Sequence, residues 1–176
     1  TSLPGACACI TALTMSGQPT RRFAFEAFLP YDKKERAQIL ENLRNETRTI
    51  IIYEAPHHLK KTLKECREYL GNRNMTVCKE LTKRYEQKRK STLDEMIAYY
   101  EENEPRGEYV LIFEGKSLQE LKEEKQQEWN QLTVQEHMEH YLEKGMDKKS
   151  AMKQVAKDRG VGKRDVYREL VDRDKA

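Results

Sequence analysis

The chain has 176 residues, 36% of them charged and 37% hydrophobic, with a formal net charge of +3. That length buries a real core and allows one or two domains. No apolar run approaches the ~18 residues of a membrane-spanning helix, and the start has no basic stretch before an apolar one, so neither a membrane span nor a signal peptide is read.

In chain order, Pro4-Gly5 reads as a turn and Ala6 to Met15 as a small-residue helix stopped by Gly17 and Pro19. Phe23, Phe25 and Phe28 in RRFAFEAFLP predict a half-buried strand ending at Pro30. Asp32 is placed to cap a helix through Leu43, with Ile39, Leu40 and Leu43 on its apolar face. Thr49 to Ile52 is β-prone and apolar enough for a strand buried on both faces. Tyr53-Glu54-Ala55 then puts polar groups at the strand's end. Pro56 suits a first helical turn, and Leu59, Leu63, Cys66 and Leu70 continue at helical spacing to Gly71-Asn72. A buried strand that empties acidic and imidazole groups into a loop before a helix is how open α/β sheets build ligand crevices. The plainer alternative is an ordinary βα connection with a solvated Glu54 and two surface histidines, His57 and His58.

Met75 to Glu80 is another strand, followed by the polar run LTKRYEQKRKST, a helix over 93–101, and a last strand, Tyr109 to Phe113. Helices between strands imply an α/β fold, a mixed sheet with helices on both faces. From Lys116 the segment is charged and lacks a wide apolar face, a linker or exposed helix over 116–132. Thr133 with Glu136 forms a capping box, and Val134, Met138, Tyr141 and Leu142 give one helical stripe. Asp147 caps a second helix carrying Ala151, Met152, Val155 and Ala156; Gly160-Val161-Gly162 turns into a third with Val166, Tyr167 and Leu170 inward. Three short helices with a glycine turn define a small helix-turn-helix-like domain over 133–176 beside the αβα unit of 1–115. From Asp147 to Arg168 eight basic residues (Lys148, Lys149, Lys153, Lys157, Arg159, Lys163, Arg164, Arg168) face three aspartates (Asp147, Asp158, Asp165), a surplus suited to phosphates.

Several signals fail. Gly162-Lys163 invites a phosphate-loop reading, but that motif needs a glycine where Lys157 stands and Ser or Thr where Arg164 stands. Cys7, Cys9, Cys66 and Cys78 have no metal-ligand spacing and read as unpaired, buried thiols. His137 and His140 lack a third ligand and read as a surface pair.

Five ordered stretches, PGACA (4–8), RFAFEAFLP (22–30), TIIIYEAPHHL (49–59), KELTKRYEQ (79–87) and GEYVLIFEG (107–115), with the tail GMDKKSAMKQVAKDRGVGKRDVY (145–167), resemble the C-terminal part of the ribosomal RNA small-subunit methyltransferase I family. That family lies in the tetrapyrrole-methylase-like superfamily of S-adenosylmethionine-dependent enzymes. The resemblance implies a preceding αβα domain with a Gly-rich loop, hence a fragment holding half of a cofactor site, and a cytoplasmic homodimer. It implies 2′-O-methylation of a cytidine ribose in small-subunit (16S) ribosomal RNA, with the 30S particle as partner and no metal. Carried over residue by residue, it places Cys7, Ala8, Tyr53, Glu54, Leu81 and Thr82 on the cofactor. It leaves Glu54, His57, Glu80 and Lys83 as candidates to take the hydroxyl proton, a lysine serving only with a depressed pKa. Arg84, Lys88, Arg89 and Lys90, with Lys163 and Arg164, are the expected RNA contacts; the alternative for the first run is a solvated hairpin arm at a dimer interface. The family's usual Ser or Thr is replaced by Cys7, its Arg by His58, and its Arg-Gly-Thr by Lys90-Ser91-Thr92. Rival readings are a tetrapyrrole methylase, which leaves the basic tail unexplained, and a non-enzymatic nucleic-acid-binding module, which leaves the strand-end motifs unexplained.

Overall fold

The computed structural model describes residues 1–3 and 5–173, with side chains as far as 171. Pro4, and with it the first half of the expected Pro4-Gly5 turn, lies outside the described residues. The chain forms two compact units, 1–117 and 118–176.

The first unit is built on a five-stranded mixed sheet of order β1-β2-β5-β3-β4, with β1 (Phe23–Phe28), β2 (Thr49–Glu54), β3 (Asn74–Lys79), β4 (Gln87–Thr92) and β5 (Tyr109–Phe113). Only β1 and β2 run parallel; the other pairings are antiparallel. Side-chain alternation divides the core in two. Ile50, Ile52, Met75, Val77, Leu111 and Phe113 face a helical layer made of α2 (Lys33–Leu43), α3 (Pro56–Leu70) and α4 (Leu93–Glu102). Ile51, Cys78, Val110 and Ile112 face α1 (Ala8–Ser16) on the other side. The Leu59, Leu63, Cys66 and Leu70 stripe of α3 is buried, as its spacing requires.

Several local expectations are corrected. Helix α1 starts at Ala8, two residues late, because Cys7 is extended and stands as its N-cap. In β1 the buried residue is Ala24, while Phe25 and Phe28 are exposed; the register slips between Phe25 and Ala27, where Ala27 is left-handed at φ 51°. The bulge sets Phe28 opposite Tyr53, on the same face as Phe25 opposite Ile51. The β3 strand stops at Lys79, since Glu80 is left-handed at φ 50°. The run after it is no simple polar loop: Gln87–Thr92 pairs with β3 as an edge strand.

In the second unit, 116–132 becomes α5 (Leu118–Gln131), which has no buried residue yet packs within the unit through Gln126 and Trp129. α6 (Val134–Glu143), α7 (Lys148–Arg159) and α8 (Lys163–Arg173) enclose a core of Val134, Met138, Ala151, Val155, Ala156 and Val166. Leu142 and Tyr167 are exposed, contrary to the expected stripes. His137 is fully buried, so the surface pair with His140 does not form. Its ring stacks on Trp129 at 3.9 Å and 4°.

Candidate functional site

One end of the sheet gathers the chemistry. The register pairs Phe28 with Tyr53, Glu54 with Tyr109, and Lys79 with both Tyr109 and Gln87, so the C-terminal ends of β1, β2 and β3 share an edge with the starts of β4 and β5. Open α/β sheets bind ligands at such strand ends.

On the α1 side of that edge, Tyr53 and Leu81 pack against a cluster that includes Cys9, Ala12 and Leu13 of α1. Helix α1, which begins at Cys7 and Ala8, therefore covers the same side of the sheet as Tyr53 and Leu81. Cys7 and Ala8 are exposed. Because Cys7 caps the helix from an extended backbone, its sulfur lies 3.6 Å from that of Cys9, a proximity the spacing did not indicate. The Ile10 N–H lowers the Cys7 pKa, whereas burial raises that of Cys9. The expectation of four buried thiols holds for Cys9, Cys66 and Cys78 and fails for Cys7. Burial pushes the Cys66 and Cys78 thiols up to about 12 and 11, well away from thiolate chemistry.

The β3–β4 connection holds two left-handed non-glycine residues, Glu80 and Thr82 (φ 50° and 63°). Strained backbone of this kind persists only where its surroundings over-determine it. Here Glu80 Oε1 accepts the Glu108 N–H at 2.9 Å and the Lys83 ammonium at 3.2 Å, and the Glu80 N–H bonds back to Glu108 O at 3.1 Å. The Thr82 N–H is taken by Glu86 at 2.7 Å. The Glu108 N–H and then Lys83 hold the Glu80 carboxyl below its usual range. Glu108 and Glu80 in turn raise the Lys83 pKa, so the depressed pKa required of a lysine base is not met.

Glu54 lies on the other face of β2. Its carboxylate is 5% exposed, accepts the Ala55 N–H at 2.8 Å and the Thr62 hydroxyl, and stands 3.9 Å from the Arg36 guanidinium. The ordinary βα connection with a solvated Glu54 is thereby excluded. Arg36 also bonds Glu65 at 2.5 Å and Thr62 at 2.6 Å. Sequence reasoning missed Arg36 and Thr62. The signal was a charged residue at the i position of the Leu40/Leu43 stripe and a hydroxyl among Leu59, Leu63 and Cys66. His57 is exposed on the first turn of α3, its ring 4.2 Å from that of His58.

The expected RNA contacts are all exposed. Arg84 lies over Tyr85 at 5.6 Å, Lys88 donates to Met15 O at 3.2 Å, and Arg89 stacks on Tyr99 at 3.7 Å, which leaves Lys90 beside them on the edge strand. In the second unit Lys163 and Arg164 lie on the first turn of α8. Arg159 is turned inward to His137 and Leu132 O, and Arg168 pairs with Asp165. Among the described residues no cluster of three or more His, Cys, Asp or Glu can hold a metal ion, and no helix is long and apolar enough to cross a membrane.

Small exposed residues and left-handed turns thus gather near the strand ends of an α/β domain. Residues 1–97 match the tetrapyrrole (corrin/porphyrin) methylases, and the chain belongs to that family. Within it, the chain is 47% identical over 165 residues to ribosomal RNA small subunit methyltransferase I of Bacillus subtilis, covering 94% of this chain and 56% of that protein. It is 46% identical to the protein of that name from Halalkalibacterium halodurans (94% and 56%) and 38% identical to that of Synechocystis sp. (94% and 58%). The chain thus spans little more than half the length of these relatives.

Proposed function

We propose that this chain is part of a cytoplasmic, S-adenosylmethionine-dependent methyltransferase that acts on the ribose 2′-hydroxyl of a cytidine in small-subunit ribosomal RNA, and that it works as a homodimer. The observation that carries the reading is the packing of Tyr53 and Leu81 on the α1 side of the sheet end, where α1 begins at Cys7 and Ala8, in a chain whose relatives are named for that RNA.

The residues fit an adenosyl ligand. Ala8 has the small side chain that close backbone approach needs, Tyr53 and Leu81 offer apolar surface, and left-handed Thr82 turns the chain away from the edge. Cys7, Ala8, Tyr53, Leu81 and Thr82 would hold one side of it, with Glu54 bordering from behind the strand. When bound, S-adenosylmethionine supplies a sulfonium-borne methyl group as electrophile. This chain's contribution is then alignment, which can account for most of the acceleration of an in-line displacement. Among the candidate bases, Glu80 is held below its usual range, Lys83 keeps its proton and Glu54 is bonded to Thr62, so exposed His57 is the residue assigned to accept the hydroxyl proton. Lys83 serves instead to brace the Glu80 turn.

The family's name favours a second reading, a tetrapyrrole substrate. The exposed cations of α7 and α8 favour RNA, since a basic face spread over two helices suits a chain of successive phosphates better than a single compact ligand.

Calorimetric titration of S-adenosylmethionine into this chain and into the whole protein tests the proposal. Binding to the whole protein, with weak or no binding to this chain, supports a shared site. Tight binding to this chain alone contradicts the sharing, and silence from both contradicts the methyltransferase reading.

A further inference from the structure

On the α2–α3 side of the sheet end, a cleft of about 430 Å3 opens between the β1–α2 connection and the first turns of α3. The cofactor reading touches this cleft only through Glu54, because Tyr53 and Leu81 pack on the opposite face of the sheet. Its size falls in the range of small-ligand pockets, about 300–1,000 Å3.

Its walls are aromatic and its floor polar. Phe28, 62% exposed, and Tyr31, 84% exposed, stand at the rim, and the Tyr31 ring meets that of His58 edge-on at 5.4 Å. Two large aromatic side chains left in water beside a cavity are surfaces on which a planar ring can stack, and every nucleobase has such a face. Glu54 and Arg36 form the floor, with Lys61 among the lining residues. The Glu54 carboxylate has about four acceptor positions, and the Ala55 N–H and Thr62 hydroxyl occupy two of them. The Arg36 guanidinium beside it makes the floor an acceptor next to a donor.

We infer that this cleft receives the target base of the RNA substrate and selects a base that carries an exocyclic amine beside a ring acceptor, as cytosine does, with Glu54 accepting from the amine. The inference rests on the RNA methyltransferase reading. Cytosine shows an N4 amine, which carboxylates accept, next to the N3 acceptor; uracil shows a carbonyl oxygen at the same place. With uracil, oxygen meets oxygen and the buried carboxylate gains no partner, the arrangement by which polar sites reject a near-isostere. An unstacked base splayed from single-stranded RNA can be stacked on an aromatic side chain and read on its Watson–Crick edge in this way. Tyr53 and Glu54 then place the cofactor side and the base side one residue apart on a single strand end.

The test is a titration of the ¹⁵N-labelled 176-residue chain with cytidine 5′-monophosphate and, separately, uridine 5′-monophosphate, read at the amides of Tyr31, Ala55 and His58. Cytidine monophosphate is expected to move these amides with a Kd near millimolar, and uridine monophosphate to bind about tenfold more weakly. Tyr31→Ala removes an exposed ring without touching the core and is expected to weaken cytidine monophosphate about fivefold, the loss of one stacking face. Glu54→Gln, whose amide can donate to a carbonyl, is expected to bring the two nucleotides level; if that variant does not fold, the Tyr31→Ala result and the wild-type preference decide. Equal binding of both nucleotides by the wild type, or unmoved cleft amides, overturns the inference. Cleft binding with the expected preference in a protein that methylates no RNA would sink the methyltransferase reading and leave the base pocket standing; RNA methylation with a silent cleft would do the reverse.

Discussion

Tyr53 and Glu54 are consecutive on β2 and serve opposite faces of the sheet: Tyr53 packs with the α1 layer and lies 5.0 Å from the Phe25 ring, while Glu54 is buried against Thr62 and Arg36. The period of two in a strand enforces the split. A single strand end thus supplies an apolar, accessible surface to one side and a paired carboxylate to the other.

The Glu54 pairing predicts a stability cost. Arg36→Ala leaves a buried carboxylate with the Thr62 hydroxyl and the Ala55 N–H as its remaining partners, and breaking one side of a buried pair costs about 3–5 kcal/mol. Urea unfolding of the chain followed by circular dichroism is expected to show a loss of that size in the first unit, and Arg36→Ala with Glu54→Leu together is expected to recover part of it.

Gly107 predicts a link between backbone and site. It sits at φ +81°, and a Cβ there would meet Glu80 Oε1 at 2.5 Å. Gly107→Ala is expected to cost about 1–3 kcal/mol, from the left-handed backbone and the displaced carboxylate together. Carbon-detected titration of the Glu80 carboxyl should show its pKa returning toward the ordinary glutamate range as the Glu108 N–H and Lys83 contacts loosen.

His137 predicts a pH dependence confined to the second unit. Burial lowers its pKa below 6.5, Arg159 and His140 pushing the same way and Asp158 opposing. The unfolded chain therefore binds the proton more readily, and folding stability rises with pH: the contribution is present above about pH 6.5 and is lost as the pH falls below it, at no more than about 1.4 kcal/mol per pH unit. Trp129 is the one tryptophan and stacks on this ring, so its fluorescence reports the unit directly. Its denaturation midpoint is expected to fall between pH 7.5 and 5.5, and His137→Phe to flatten that slope.

The tail predicts a salt-dependent loss. Lys163→Glu with Arg164→Glu is expected to weaken binding of the whole protein to small-subunit ribosomal RNA about tenfold or more, and to reduce the slope of log K against log salt by about 1.4, two contacts at about 0.7 each. Unchanged affinity and slope would remove α8 from the RNA-binding account.

Much of the frame was legible because it rests on periodicity. Ile50 to Ile52 announced a doubly buried strand, and Leu59, Leu63, Cys66 and Leu70 a helix lying on it. What escaped rests on non-local pairing. Gln87–Thr92 is charged and reads from the sequence as a hairpin arm only in the alternative; backbone bonds to β3 make it an edge strand of the sheet. Phe25 keeps the right period opposite Ile51 and is exposed all the same, and the slip before Ala27 sets Phe28 opposite Tyr53 on that same face. His137 is buried by Trp129 of α5, a helix with no apolar stripe to reveal that it packs at all. At the candidate site, the position of Tyr53 and Glu54 at the end of β2 was readable from the apolar run before them. The Arg36–Thr62–Glu54 network was not, because its members come from three elements.

The most direct measurement is incubation of the whole protein with undermethylated 30S particles and methyl-labelled S-adenosylmethionine, followed by nucleoside mass spectrometry of the 16S ribosomal RNA. The account predicts label in 2′-O-methylcytidine, reduced by His57→Ala. Label on a base, label on another ribose, or transfer to a tetrapyrrole in place of RNA would contradict it.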